Sequence, residues 1–336
     1  MNILVTGGAG YIGTHVALEL LAAGWEPVLL DDFSNASPAA MLALDRLAGR
    51  TLRSVEGDIR DPKCLDGLLE QHNFSAVVHL AALKAVGESV AEPLRYYSNN
   101  LGGTACLLER MAHHGVTSLV FSSTAIVYAP SETPLTEHAP TRAESPYART
   151  KLAAEEMMRD LAAADPGWGI SILRYFNAGG ADPSGLIGES PPDSPKNLLP
   201  QVADVATGRR KRLSVFGNDY PTPDGTCIRD YVHVVDIARA HVRAVERVVS
   251  EPGVSIHNLG TGRGHSVLEA VEAFERASGV AIPYEFAPRR PGDVAMLRAD
   301  SSLARRELGW TATFDLDCIC ADLWRWRSGH PDGYAG

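Results

Sequence analysis

Short apolar runs alternate with helix-like patterns through the first half of the chain. Several runs have the length of buried strands: 3–5, 28–30, 76–78, 119–121 and 170–173. Apolar residues recur at helical spacing in three longer stretches: 11–23, 89–113 and 146–163. Asp61-Pro62 has the form of an N-cap followed by proline at the first helical position. Strands that alternate with helices predict an α/β fold with a Rossmann-type, doubly wound parallel sheet.

The composition of the sequence changes after Asn177. Two segments rich in Gly, Pro, Asp and Ser, 178–195 and 217–225, predict long loops of the kind that often carry function. Helical patterns follow at 198–207, 234–249 and 267–277, and 255–258 is a candidate strand. We therefore expect a Rossmann domain over 1–176 and a smaller, mixed α/β lobe over 177–336. A segment near 228–262 is a candidate to return to the first domain.

Composition narrows the class of protein. The 336 residues carry a formal net charge of −10, which argues against nucleic acid as a partner. No apolar run is long enough to span a membrane, and no basic, apolar leader opens the chain, so we expect a cytoplasmic protein. The five cysteines are irregularly spaced, which is typical of reduced thiols. Cys318 and Cys320 lack a matching Cys/His pair, so no metal site is expected.

A glycine-rich loop lies between the first predicted strand and helix. Gly7, Gly10 and Gly13 fit G-x-x-G-x-x-G, and Gly8 begins the related G-x-G-x-x-G. Such glycines permit a tight turn and let the backbone approach a pyrophosphate, while the helix N-terminus supplies N–H donors. A tight turn without a ligand is the alternative. The position between strand and helix favours a dinucleotide site.

Asp31 ends the second predicted strand, at the usual distance from the glycine loop to accept from a ribose 2′-hydroxyl. A carboxylate there repels a 2′-phosphate, so the sequence favours NAD over NADP. The alternative is a solvated strand end. After the third strand, Asp58 lies where a side chain can reach the adenine.

Tyr147 and Lys151 are four residues apart in a predicted helix, so both project from one face. A nearby ammonium favours the phenolate and lowers the pKa of a tyrosine, which is otherwise a poor base at neutral pH. A surface tyrosine beside a lysine is the alternative. Thr124 ends the fifth strand and can place a hydroxyl at the same edge of the sheet.

Motifs along nearly the whole chain resemble the extended short-chain dehydrogenase/reductase superfamily and, within it, the UDP-glucose 4-epimerase (UDP-galactose 4-epimerase) family. They are residues 5–13, 81–89, 145–151, 174–177, 216–222, 224–226, 229–233 and 288–293. The resemblance implies an NAD-dependent isomerase of galactose and carbohydrate metabolism. Its domain 1–176 would bind NAD, and 177–336 would bind a UDP-sugar.

The resemblance also implies a mechanism. Tyr147, as phenolate, would take the proton of the sugar 4-hydroxyl while the C4 hydride passes to NAD. The 4-keto sugar would rotate and be reduced on its other face, which interconverts UDP-galactose and UDP-glucose. Lys151 would lower the pKa of Tyr147 and bond the nicotinamide ribose. Thr124 stands where many relatives carry Ser, and it would hydrogen-bond the 4-oxygen.

Further site residues follow from the resemblance. The cofactor set is Gly7, Gly10, Tyr11, Ile12, Gly13, Asp31, Asn35, Asp58, Ile59, Leu80, Ala81, Ala82, Lys84, Asn99, Ser122, Tyr147, Lys151 and Tyr175. The substrate set is Lys84, Thr124, Tyr147, Asn177, Asn197, Leu198, Val215, Phe216, Arg229, Tyr231, Arg290, Asp293 and Leu297. Within it, Arg229 and Arg290 would clamp the diphosphate, because guanidinium groups suit phosphate oxygens.

Four members of the substrate set have structural alternatives. Arg229 could pair with Asp230, and Arg290 could be an exposed loop arginine. Asn197 could cap the helix that follows, and Phe216 could be core packing.

Three other functions stay open. Epimerisation of another UDP-sugar pair (N-acetylhexosamines or pentoses) depends on Leu297, at a family position that limits room beside the sugar. A 4,6-dehydratase would need an acid pair beside Thr124, where Ala125 and Ile126 stand instead. A non-enzymatic dinucleotide sensor would not need the Tyr/Lys pair. By family analogy, helices at 89–113 and 146–163 would form a homodimer interface.

Overall fold

The structure is a computed structural model that describes residues 1–190, 195–290 and 292–335. Pro291, in one of the family motifs, and Gly336 lie outside the described residues. In the first half, the strands are β1 (Asn2–Thr6), β2 (Glu26–Asp31), β3 (Arg53–Glu56), β4 (Phe74–His79), β5 (Ser118–Thr124), β6 (Gly169–Tyr175) and β7 (Asn177–Gly179). The helices are α1 (Tyr11–Ala22), α2 (Pro38–Ala48), α3 (Pro62–Gln71), α4 (Val86–Ala91), α5 (Pro93–Tyr96), α6 (Gly103–His113) and α7 (Pro146–Ala164).

The second half contains more helix than strand. Its strands are β8 (Leu213–Phe216), β9 (Ile228–His233), β10 (Gly253–Leu259), β11 (Gly264–Ser266), β12 (Tyr284–Ala287) and β13 (Met296–Leu297). Its helices are α8 (Leu198–Ala206), α9 (Val234–Ser250), α10 (Val267–Ser278), α11 (Ser302–Leu308) and α12 (Leu316–Gly329).

A seven-stranded parallel sheet confirms the predicted fold class. Its strand order is β10-β6-β5-β4-β1-β2-β3, and buried apolar residues line both faces. The order reverses between β1 and β4, where parallel sheets open a crevice at the carboxyl ends of their strands. Strand β10 pairs with β6 along its full length, and α9 packs against α1. Residues 234–259 thus return to the sheet after the chain has left it.

A smaller lobe packs around a second apolar core. Strand β9 lies between β11 and β13 and also pairs with β7, while β8 and β12 form a parallel pair. Helices α8, α10 and α12 cover this core. The lobe carries side chains to the open end of the large sheet.

The prediction of one continuous helix at 89–113 was wrong. The chain forms α4, α5, one π-helical segment (Tyr97–Gly102) and then α6. Pro93 lacks an N–H and disfavours helical backbone at Glu92 (φ −126°, ψ 58°), so α4 ends at Ala91. The π-helical segment holds Asn99 at the cavity described next, and functional sites are a common place for such segments.

Candidate active site

A cavity of about 360 Å³ lies at the carboxyl ends of the strands, between the large sheet and the smaller lobe. Every residue of the predicted cofactor set lines it, from the glycine loop to Tyr175. Of the predicted substrate set, these residues line it: Lys84, Thr124, Tyr147, Asn177, Asn197, Leu198, Tyr231 and Leu297. One cavity therefore joins the glycine loop to the Tyr147 end.

The glycine loop has no room for side chains. Gly7 has a φ of +71°, and a Cβ atom there would lie 2.8 Å from the backbone nitrogen of Ala81. A Cβ on Gly13 would lie 2.2 Å from the carbonyl oxygen of Gly7. The loop ends at Gly10, the N-cap of α1, whose side-chain position is empty. This backbone cradle fits the pyrophosphate of a dinucleotide.

Asp31 is part of the same cradle. Its Oδ2 accepts from the backbone N–H of Ala9 at 2.9 Å, and its Oδ1 accepts from Phe33 at 2.9 Å. Burial raises the pKa of this carboxyl group, and the two backbone donors lower it. These bonds hold the Asp31 carboxylate at the wall of the cavity, where the sequence predicts contact with a ribose hydroxyl. Farther along the wall, Arg60 pairs with Asp58 and lowers its pKa.

Tyr147, Lys151 and Thr124 meet at the other end of the cavity. Ser145 caps α7 by accepting from Ala148, and Pro146 starts the helix, so Tyr147 lies in its first turn. The pKa of Tyr147 is raised to about 12 by burial, while a hydrogen bond with Thr124 lowers it. The tyrosine is thus part of the cavity wall, not a surface residue.

Lys151 differs from the sequence-based expectation. Its Nζ donates to the backbone oxygen of Ser122 at 2.7 Å and lies 4.7 Å from the centre of the Phe121 ring. Burial lowers the pKa of Lys151 to about 7, and the charge of Glu155 raises it. The sequence predicts that Lys151 lowers the pKa of Tyr147, and the contact that lowers it in this structure is the hydrogen bond with Thr124. The Lys151 ammonium is directed to the carbonyl oxygen of Ser122.

A buried ion pair supports this end of the cavity from behind. Arg174 Nε donates to Glu155 Oε1 at 3.0 Å, and Arg174 also bonds the other carboxylate oxygen at 2.5 Å. The hydroxyl of Ser123 donates to the same carboxylate at 2.5 Å. All three side chains are almost completely buried. The pair connects α7, β5 and β6 directly behind Lys151, Thr124 and Tyr175.

Five predicted substrate residues lie outside the cavity lining: Val215, Phe216, Arg229, Arg290 and Asp293. Four of them form a group of their own. Asp293 accepts from Arg229 at 3.4 Å and from Arg290 at 2.9 Å, and the Arg290 guanidinium lies 4.7 Å from the Phe216 ring centre. Val215 is buried in the core of the smaller lobe and does not line the cavity.

The proposed Arg229–Asp230 ion pair was wrong. Asp230 is fully buried and accepts from the backbone N–H groups of Thr261, Gly262 and Ala299. Arg229 pairs with Asp293 instead, because alternate residues of β9 face opposite sides.

Asn197 occupies the N-cap position of α8, but its side chain makes no capping hydrogen bond. It lines the cavity beside Leu198. The capping alternative therefore describes its backbone position and not the use of its side chain.

Among the lining residues that sequence reasoning missed, Glu189 and Tyr334 carry polar groups into the cavity wall. The Glu189 carboxylate accepts from Lys84 Nζ at 2.8 Å. Tyr334 lies near the end of the chain, where no periodic pattern marks it. In the sequence, Glu189 is marked only as an acidic residue in a glycine-rich loop, and Tyr334 only as an aromatic residue in a polar segment. Neither feature is specific enough to predict a site residue.

No cluster of metal-ligating side chains occurs within residues 1–190, 195–290 and 292–335. All five cysteines are free. In the same described part of the chain, no helix is long and apolar enough to cross a membrane.

Comparison with known proteins agrees with this geometry. A family model described as GDP-mannose 4,6 dehydratase matches residues 4–323. UDP-glucose 4-epimerase from Bacillus subtilis is 53% identical over 335 residues, which is 99% of each chain. The human UDP-glucose 4-epimerase is 52% identical over 99% of this chain and 98% of its own. The crystal structure of UDP-glucose 4-epimerase from Bifidobacterium longum, in complex with NAD⁺ and UDP, has a TM-score of 0.96. It is 46% identical and covers 99% of this chain and 100% of its own.

The fold, the glycine loop and the Tyr147/Lys151 pair define an extended short-chain dehydrogenase/reductase. Within that class, the three relatives described above are similar over almost the full length of both chains, and each is a UDP-glucose 4-epimerase. The chain belongs to the UDP-glucose 4-epimerase family.

Proposed function

We propose that this chain interconverts UDP-galactose and UDP-glucose with bound NAD, through a 4-keto sugar. The observation that carries the proposal is the single cavity with a dinucleotide cradle at one end and Tyr147, Thr124 and Lys151 at the other. Bound NAD supplies the acceptor, and later the donor, of the C4 hydride. Because the hydride returns within each cycle, no second redox substrate is needed.

In this proposal Tyr147 removes the proton of the sugar 4-hydroxyl and, once C4 has been reduced from its opposite face, returns a proton to the 4-oxygen. Thr124 hydrogen-bonds the same oxygen, and Lys151 bonds the nicotinamide ribose. The pKa of Tyr147 is about 12 without ligands, so the tyrosine needs added positive charge nearby to act as a base. The oxidised nicotinamide ring and a protonated Lys151 are the available sources of that charge.

The substrate end of the proposal uses both groups of residues described above. Asn177, Asn197 and Leu198 line the cavity and would approach the phosphates or the sugar. Arg229 and Arg290 both pair with Asp293 in this structure. A bound diphosphate would replace Asp293 as the partner of both guanidinium groups. Asp293 would then be free to accept from a ribose hydroxyl, and Phe216 would flank the uracil.

Conversion to a 4-keto-6-deoxy sugar, with loss of water, is the activity suggested by the name of the matching family model. That reaction needs an acid pair beside the hydroxyl at the end of β5. Ala125 and Ile126 follow Thr124 and form one 3-10 turn with Val127. With apolar side chains at those positions, epimerisation is the reaction that this site favours.

We further propose a homodimer that works in the cytoplasm. Val90 and Leu94 are 64% and 82% exposed on α4 and α5, an apolar surface of the kind that marks an interface. Sedimentation should give twice the chain mass of 36.0 kDa, and Leu94→Asp should shift the protein to monomer. A monomeric wild-type protein would contradict the dimer. The free cysteines are consistent with a reducing compartment.

The test of the reaction is incubation of the purified protein with UDP-galactose and detection of UDP-glucose by a coupled dehydrogenase. We expect turnover without added cofactor, and NAD(H) released on denaturation. A dehydratase would instead produce a 4-keto-6-deoxy sugar, and a dinucleotide sensor would produce nothing. No UDP-glucose formation, even with added NAD⁺, would contradict the proposal. UDP-N-acetylhexosamines and UDP-pentoses, tested in parallel, would show whether another sugar pair is preferred.

A further inference from the structure

The end of the chain contributes to the wall of the cavity. Tyr334 lies in a 3-10 turn (Gly333–Ala335) and lines the cavity together with Gly188, Glu189 and Ser190. Its hydroxyl accepts from the backbone N–H of Gly188 at 3.1 Å, and its own backbone N–H donates to Ser190 Oγ at 3.3 Å. The terminus therefore holds both sides of Glu189.

Helix α12 fixes the same short segment from a second direction. Trp326 Nε1 donates to the carbonyl oxygen of Glu189 at 3.3 Å, and the Trp326 and Tyr334 rings lie 4.7 Å apart. A Cβ atom on Gly188 would lie 2.4 Å from the Trp326 ring, so this close contact requires glycine. The backbone of residue 189 is thus clamped between a helix and the chain terminus.

The clamped segment directs one carboxylate to the other side of the cavity. Glu189 Oε1 accepts from Lys84 Nζ at 2.8 Å, and the Glu189 side chain is 10% exposed. Lys84 belongs to the loop after β4 in the large sheet, whereas Glu189 belongs to the second half of the chain. The pair is a direct polar link between the two walls.

We propose that Glu189 and Tyr334 are positioning residues that retain the dinucleotide. Tyr334 holds the 188–190 segment, Glu189 holds Lys84, and the resulting bridge closes the cavity over bound NAD. Neither residue needs to touch the reacting atoms. The proposal rests on the proposed function only in that a dinucleotide occupies the cavity.

The test measures the exchange of bound NAD for isotopically labelled NAD in the holoprotein, by mass spectrometry after rapid desalting. Glu189→Gln should accelerate exchange about 2- to 5-fold, the effect of one partly exposed ion pair. Tyr334→Phe keeps the ring on Trp326 but removes the hydroxyl, and it should accelerate exchange about 2- to 10-fold. Glu285→Gln, which breaks the surface pair with Arg212, and Tyr284→Phe are the matched controls and should exchange like wild type.

The double variant Glu189→Gln/Tyr334→Phe shows whether Tyr334 acts through Glu189 or destabilises the cavity wall independently. If Tyr334 acts through Glu189, the double variant exchanges no faster than the faster single variant. Multiplicative effects would overturn that order of action. Exchange as slow as wild type in both single variants would overturn the bridge. Slower exchange in Glu189→Gln would also overturn it and would make Glu189 a competitor of the ligand phosphates. Exchange is read without turnover, so a failure of the proposed reaction leaves this test intact.

Discussion

At the scale of single residues, the chemistry concentrates at the junction of β5 and α7. Sequence spacing placed Tyr147 and Lys151 on one helix face, and the cavity places both beside Thr124. Spacing could not supply the electrostatics, because the pKa values depend on burial and on contacts with β5. The carbonyl of Ser122, which receives Lys151, is invisible in a sequence pattern.

We expect Tyr147→Phe to lower kcat about 10²- to 10⁴-fold, the usual contribution of a general acid–base group. The ring remains against Tyr96, whose ring centre lies 6.5 Å away, so the fold and the KM for UDP-sugar should change little. Tyr284→Phe, an exposed tyrosine on β12, is the control. Near wild-type kcat in Tyr147→Phe would remove this residue from the mechanism.

Leu297 carries the prediction on sugar choice. It lines the cavity on β13, where an N-acetyl group on the sugar would crowd it, and overpacking costs about 1–3 kcal/mol. We expect weak activity on the N-acetylated pair, raised in Leu297→Cys and abolished in Leu297→Tyr, with UDP-galactose activity retained. The measurement is kcat/KM for both sugar pairs in all three proteins. An unchanged ratio would show that Leu297 does not limit the site.

At the scale of elements, the sequence predicted best those helices that have a capping residue and a proline at their first turn. The predicted helix at 146–163 and the predicted N-cap at Asp61 are confirmed by α7 and α3, because Pro at the first turn and a capping side chain are local signals. The break at Pro93 and the π-helical segment were missed. There, Asn100 accepts from the Leu83 N–H and donates to the Leu83 carbonyl. Such long-range bonds decide local backbone shape, and no periodicity reveals them.

The buried pair between α7 and β6 gives a prediction on stability. Glu155→Gln should lower the free energy of unfolding by about 3–5 kcal/mol, because it leaves the Arg174 charge buried and uncompensated. The double variant Glu155→Gln/Arg174→Met should recover much of that loss. Urea denaturation of the three proteins is the measurement. If the double variant is less stable than Glu155→Gln alone, charge compensation is not the reason.

At the scale of the whole molecule, burial lowers the pKa of several histidines, His257 among them, and lowers it most in three. Burial lowers the pKa of His79 to about 3 and the pKa values of His15 and His241 to about 4. His241 accepts from the Tyr175 hydroxyl at 2.5 Å, and its other ring nitrogen bonds the carbonyl oxygen of Ile237. In the unfolded chain the same side chains bind protons near pH 6.5.

Below that pH the unfolded state binds more protons than the folded state, so the free energy of unfolding should fall as the pH drops from about 6.5 to about 4. One pKa unit corresponds to about 1.4 kcal/mol for each histidine. His241→Gln should flatten the fall. The measurement is urea denaturation of wild type and His241→Gln across this pH range. Equal slopes in wild type and His241→Gln would contradict this origin of acid sensitivity.

The return of β10 to the large sheet has a consequence for synthesis. When the first 176 residues have left the ribosome, β6 still has one unpaired edge, and α1 lacks the cover of α9. An exposed parallel edge strand beside an uncovered apolar face promotes association with other chains. The large sheet of the nascent chain is therefore complete only after about 80 further residues, through the end of β10, have been synthesised. A stop codon after residue 177 would leave a permanently open edge, and we expect its product to aggregate.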